Sequence, residues 1–363
     1  MSSMLKKLQL PFWTIALPIL AWIAYFSPIS GLVTTYILIL TALLIGSVLA
    51  AVHHAEVVAH KVGEPYGTLL LALAITTIEV ALIVSLMLTG GPETTALARD
   101  TVLAAVMIIL TGMIGICLLV GGAKYKQQEF SLSGVSVALV ALSAIIVLTL
   151  ILPNYTTSRP GPFYSPIQLG FVAIISLIIY GAFVLTQTVR HRDFFLPPGE
   201  DGNEDAHAEP PTKKTALLSG FLLLVCLGIV VLLAKALAPD IESAVIDAGA
   251  PKSLVGVIIA AVVLLPEGLA AYRAAKKNRL QTSLNLALGS ALASIGLTIP
   301  AVAGVAIFTG MTITLGIDMK ATVLLLLSLF TIMLSLATGK TNMLQGVVLL
   351  VIFATYLFTT IAP

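Results

Sequence analysis

Two glutamates stand inside otherwise apolar runs of this 363-residue chain. Glu79 lies midway along GTLLLALAITTIEVALIVSLML, and Glu267 follows Pro266 at the end of VGVIIAAVVLL. A carboxylate at membrane depth costs about 2.5–3.5 kcal/mol on insertion scales, so it is seldom kept without a use. A carboxylate can hold a proton or a cation. Desolvation favours the neutral acid, and a bound cation favours the charged one. Pro266 strengthens the cation reading. It removes a backbone donor and frees a carbonyl near Val262 and Val263, which puts a second oxygen type beside Glu267. The plain alternative is a buried, protonated glutamate bonded to a neighbouring helix.

Further oxygens follow. In QTSLNLALGSALASIG, the small residues Ala287, Gly289, Ala291 and Ala293 permit close helix approach, and Ser290 and Ser294 share one face. Thr111 and Gly112 sit at a similar depth in an earlier run. A stretch rich in histidine, AVHHAEVVAHKVGEP, gathers His53, His54, Glu56 and His60. It is open to three readings: a transition-metal site, a proton-entry group at Glu56 or His54, or an interfacial helix end. Glu200, Asp201, Glu204, Asp205 and Glu209 form an acidic cluster suited to attracting cations, or a solvated tether. The chain has no GxSxG, HExxH, paired DxxxD or P-loop signature, so neither an enzyme nor a primary pump is indicated.

The elements that must position these residues are set by composition. Apolar residues make up 58% and charged residues 10%, with mean hydropathy +1.07. A soluble domain carries about 25% charged residues. The apolar runs have the ~20-residue length of membrane helices and lack the alternation of a barrel, so an all-α integral membrane protein is expected. Eleven spans are predicted, over 11–27, 31–53, 66–89, 100–122, 131–152, 166–189, 216–238, 253–275, 283–308, 320–338 and 342–361. The N-terminal run, with Lys6 and Lys7 before it, reads as a retained first helix rather than a cleaved signal. Cys117 and Cys226 lie in apolar runs and suggest no disulfide. With the N-terminus in the cytoplasm, 14 of the 19 basic residues fall on the inner side and 5 on the outer, which also places the C-terminus outside. The net charge of +2 implies no nucleic-acid partner.

The expected organisation is an N-terminal helix (1–30), a first five-helix repeat (31–190), an acidic cytoplasmic loop (191–215) and a second five-helix repeat (216–363). Five is odd, so the second repeat inserts upside down relative to the first. That is the layout of inverted-repeat transporters, whose sites lie near the midplane. Glu79 and Glu267 then occupy matching second spans.

The stretch PEGLAAYRAAKKNRLQTSLNLALGSALAS resembles the second signature repeat of the cation/proton exchangers, within the cation/calcium antiporter superfamily. Glu267, Lys277, Asn278, Ser283, Gly289 and Ser290 fall in its register. HHAEVVAHKVGEPYGTLLLALAITTIEVALI is similar to the first repeat, with Glu56 at its acidic position and Glu79 at its cation-binding glutamate. The likeness is greatest to the bacterial sodium-potassium/proton and calcium/proton branch. It implies Glu79 and Glu267 as the cation- and proton-binding residues, with Asn278 secondary. Departures exist. Ile75-Thr76 and Val263-Leu264 replace the family's Gly-Asn pairs, apolar residues near Val106 and Met107 replace a Gly-Ser, and Ala293 stands where the family has glutamine. The loss of amide ligands keeps Na⁺ and K⁺ in play beside Ca²⁺.

The function so implied is a secondary antiporter of the bacterial inner membrane. It exports cytoplasmic Ca²⁺, Na⁺ or K⁺ for protons by alternating access, with the lipid bilayer as surroundings and without a cofactor. A homo-oligomer is compatible with it. The rivals are a cation channel lined by the same acids and a cation sensor built on the acidic loop.

Overall fold

A computed structural model describes residues 10–27, 33–63, 66–90, 94–196, 211–251 and 253–362. The fold is all-α. Its helices are α1 (Trp13–Phe26), α2 (Val33–Val62), α3 (Tyr66–Gly90), α4 (Leu97–Tyr125), α5 (Leu132–Tyr155), α6 (Pro166–Arg190), α7 (Lys213–Asp247), α8 (Ser253–Lys276), α9 (Leu280–Thr309), α10 (Met319–Leu336) and α11 (Met343–Ile361). Each corresponds to one expected span. Among the described residues nine are long and apolar enough to cross a membrane; α1 and the stretch Leu73–Leu88 of α3 are shorter apolar helices. Large apolar side chains such as Ile167, Leu217 and Phe308 are exposed. On a soluble protein they would form adhesive patches; in a bilayer they meet lipid.

The helix starts follow local chemistry. Ser165 and Gln168 form a reciprocal capping box at the start of α6, with Pro166 at the first helical position. Asn342 and Gln345 do the same for α11. The Asp318 carboxylate accepts from the Ala321 N–H at 2.6 Å and opens α10. Three helices contain a π-helical stretch: Ile108–Met113 in α4, Val147–Ile151 in α5 and Thr186–Arg190 in α6. Two short strands, β1 (Gln127–Glu129) and β2 (Lys340–Asn342), pair antiparallel between the ends of α4 and α10.

The helices form two compact units. One contains α1, α2, α3 up to Leu86, and α7. Here α1 lies on α2 and α7. The Trp22 indole donates to the Val225 carbonyl at 3.3 Å, and the Tyr36 hydroxyl to the Ala24 carbonyl at 2.8 Å.

The other unit contains α4, α5, α6 and α8–α11. In it α4 is the most buried span, packed by α8, α9, α10 and α11. Helix α8 runs parallel to α4. A Cβ at Gly256 would stand 3.1 Å from the Thr101 nitrogen, and one at Gly268 3.5 Å from Met113 Cε. The contact has advanced by a similar number of residues along each helix, about 18 Å at 1.5 Å per residue. Beyond α9, residues 311–318 run as an extended strap. Thr314 donates to the Thr95 carbonyl, Leu315 and Gly316 to Pro162, and Ile317 to Leu150, all at 2.9–3.1 Å. The Arg99 guanidinium, paired with Asp100 at 2.7 Å, also donates to the Gly316 carbonyl. Beside the strap the Tyr164 hydroxyl donates to the Leu148 carbonyl at 2.6 Å, and burial pushes it up to about 12.

Candidate functional site

In the unit built on α4, Glu267 is buried, with 8% of its surface exposed, at the fifteenth position of α8. The helix continues through Pro266. Val262 therefore keeps its carbonyl without the i+4 backbone donor that any other residue would supply. On the neighbouring α9, Ser294 is buried and Ser290 is half-buried. Pro300 likewise withholds a donor from the Gly296 carbonyl, half a turn beyond Ser294.

The third contributor is α4. Thr111 is fully buried inside the π-helical stretch, and its hydroxyl donates to the Met107 carbonyl at 2.5 Å. A π-turn holds one extra residue and breaks the regular ladder, and such turns recur at functional sites. This turn packs against both α8 and α9. The structure thus brings the helix segments bearing Glu267, Ser294 and Thr111 together within one unit.

Sequence reasoning missed Thr298. It is fully buried, its hydroxyl has no hydrogen-bond partner among the described residues, and it stands four residues after Ser294. Ser290, Ser294 and Thr298 form one row along α9. The i, i+4 spacing to Ser294 is visible in the sequence. A buried hydroxyl without a partner forfeits about 1–3 kcal/mol, which a ligand would recover.

In the other unit, Glu79 is buried with 3% of its surface exposed, and Thr76 is buried one turn before it on α3. His54 is fully buried, and its Nε2 lies 3.1 Å from the Thr14 carbonyl of α1. The Trp13 and His53 rings lie 6.0 Å apart. Glu56 and His60 are exposed. Among the described residues no group of three or more His, Cys, Asp or Glu side chains is arranged to hold a metal ion. Trp13 and Thr14 of α1 thus neighbour His53 and His54.

Asn278 is placed in the turn between α8 and α9. Its φ is 64°, and its side-chain carbonyl accepts from Gln128 at 3.0 Å. Asparagine tolerates that left-handed conformation better than most residues. Glu200, Asp201, Glu204, Asp205 and Glu209 lie outside the described residues.

Residues 32–189 and 218–362 match the sodium/calcium exchanger protein family. The chain belongs to that family. Its relatives include y4hA of Sinorhizobium fredii, which carries the name of an ionic transporter and is 43% identical over 99% of this chain and 98% of its own. The sodium-potassium/proton antiporter ChaA of Escherichia coli is 36% identical over 88% of this chain and 87% of its own. The fold is shared with the H⁺/Ca²⁺ exchanger CAX (TM-score 0.70, 17% identity, 96% of this chain and 88% of that one). It is also shared with YfkE (TM-score 0.69, 17% identity, 97% and 99%). Membership makes this chain a multi-pass membrane protein of an exchanger family.

Proposed function

We propose that the chain is a secondary cation/proton antiporter of the bacterial inner membrane, exporting cytoplasmic Ca²⁺, Na⁺ or K⁺ against protons. The observation that carries this reading is a buried carboxylate, Glu267, on a helix that packs against α9 and the π-turn of α4 in an exchanger-family membrane protein. Glu79 is its counterpart. The two family matches, 32–189 and 218–362, support two repeats, α2–α6 and α7–α11, with α1 outside them. The helix registers support them too. Glu79 is the fourteenth residue of α3 and Glu267 the fifteenth of α8, while Thr111 and Ser294 are each the fifteenth of α4 and α9. The printed names of the relatives, an Na⁺-K⁺/H⁺ antiporter and an H⁺/Ca²⁺ exchanger, supply the cargo classes.

The exchange follows from charge. Each carboxylate is neutralised either by a proton or by cation charge, and a neutralised carboxylate can change sides. A bare carboxylate is expensive to move through low dielectric, so the unloaded form stays put and forbids leak. Protons from outside discharge the cation, and a cation from the cytoplasm discharges the protons. Glu56 and His54 remain candidates for proton entry. The acidic residues 200–209 would gather cations on the cytoplasmic side.

The test is transport in everted membrane vesicles with an interior-acid pH gradient, adding Ca²⁺, Na⁺, K⁺ and Mg²⁺ in turn. Dissipation of the gradient on addition of at least one of the first three is expected. Cation flux with no proton movement would replace the antiporter by a channel.

A further inference from the structure

We propose that the joined ends of α4 and α8 form a binding site for the phosphate headgroup of an anionic phospholipid. The two parallel helices finish side by side. The Lys276 carbonyl accepts from Lys124 Nζ at 3.2 Å and from the Tyr125 hydroxyl at 3.0 Å, and the Ala275 carbonyl accepts from Gln128 at 3.0 Å. Left-handed residues, Lys126 (φ 67°) and Asn278 (φ 64°), then turn both chains away. The result collects Lys124, Lys126, Arg273, Lys276, Lys277 and Arg279 on one end of one unit.

Helix C-termini attract cations, so part of this charge has an ordinary use. Each terminus carries about −0.5 of an elementary charge, so two offset roughly one of the six basic groups. Glu129, the acid on the adjoining strand, is held by Lys340 at 2.7 Å. Arg279 has a partner of its own, so a surplus near +4 is left. Its depth is set by tyrosine. Tyr125 and Tyr272 are half-buried in the last turns of α4 and α8, with Lys124 4.8 Å and Lys276 5.8 Å from their ring centres. Tyrosines at span ends mark the headgroup level of a bilayer. The basic groups therefore lie at headgroup level, where an acyl-anchored phosphodiester is already concentrated and each Lys or Arg is worth about fivefold in binding.

The test is lipid retention by the purified full-length protein in nanodiscs of phosphatidylcholine doped with phosphatidylglycerol, read by native mass spectrometry. The wild type should retain phosphatidylglycerol selectively, and 0.5 M NaCl should weaken that preference through screening. Lys126→Gln, Arg273→Gln and Lys277→Gln, all at exposed positions, should lower the preference by roughly fivefold each. Lys320→Gln, at the opposite end of the unit, should leave it unchanged. Wild-type protein with no preference for phosphatidylglycerol, or a triple variant that keeps it, overturns the proposal. So does full displacement of the lipid by millimolar inorganic phosphate, which would make the site one for soluble phosphate. The wild-type measurements stand whether or not the triple variant folds.

Discussion

At the scale of single residues, the question is which oxygens hold the cargo. Glu79 and Glu267 were legible because an acid in an apolar run of about twenty residues is costly to keep. Thr111 and Ser294 were legible as hydroxyls at comparable depth. Thr298 was not taken up, because a lone threonine in LTIPAVAG looks like any β-branched packing residue; only its orphaned hydroxyl in the folded chain sets it apart. Glu79→Gln and Glu267→Gln keep shape and remove charge. Each should abolish proton-coupled cation flux while the protein still inserts and purifies, as read by vesicle transport alongside quantitative blotting. Near-wild-type exchange by either variant would take that residue out of the site. Thr298→Val exchanges the hydroxyl for a methyl of the same shape. If that oxygen helps hold the cation, the apparent cation KM should rise about fivefold, equivalent to about 1 kcal/mol, with expression unchanged. An unaltered KM would return Thr298 to packing.

At the scale of elements, span positions were readable to within a few residues at most ends, since hydrocarbon thickness fixes the length of an apolar run. Helix α7, expected to stop at residue 238, runs on to Asp247, and helix α2 is a second exception. It was expected to stop at residue 53 and continues to Val62, because histidines and a glutamate at an interface do not break a helix. The π-turn at Ile108–Met113 had no sequence signal, as one extra residue in a turn leaves composition and hydropathy untouched. The strap over 311–318 reads as part of the loop after α9; its hydrogen bonds to Thr95, Leu150 and Pro162 depend on distant sequence. Helix contact predicts a contrast between two glycines of α8. Gly256→Ala places a methyl 3.1–3.2 Å from the backbone of α4 at Asp100 and Thr101, which cannot yield as a side chain can. It should cost about 1–3 kcal/mol and lower the melting temperature of the detergent-purified protein. Gly268→Ala meets only the end of the flexible Met113 side chain at 3.5 Å. It should be neutral or stabilising by up to about 1 kcal/mol, since alanine favours helix. Equal melting shifts for the two would contradict the parallel α4–α8 packing.

At the scale of the whole molecule, the proposed antiporter takes its direction from the asymmetry of basic residues and its coupling from the carboxylates. The basic-rich end that includes Lys124, Lys276 and Lys277 is assigned to the cytoplasm by the positive-inside rule. On that proposed topology, cargo would meet a site whose cytoplasmic occupancy depends on cytoplasmic pH. A proton and a cation cannot share one carboxylate charge, so protonation lowers the fraction of protein able to bind the cation, and the apparent KM scales inversely with that fraction. Raising cytoplasmic pH should accordingly lower the cation KM, by up to tenfold per pH unit for each proton displaced, until the competing carboxylates are ionised. Below that point the KM should climb as pH falls. Binding is reciprocal, so saturating cation must drive proton release by the same coupling free energy. Proton release on adding Ca²⁺ or Na⁺ to detergent-purified protein in weak buffer, followed with a pH dye, isolates this binding step from transport. Glu267→Gln should remove at least part of it. A KM that stays level from pH 6 to 9, with no proton release on cation addition, would separate the two ligands and end the competitive mechanism.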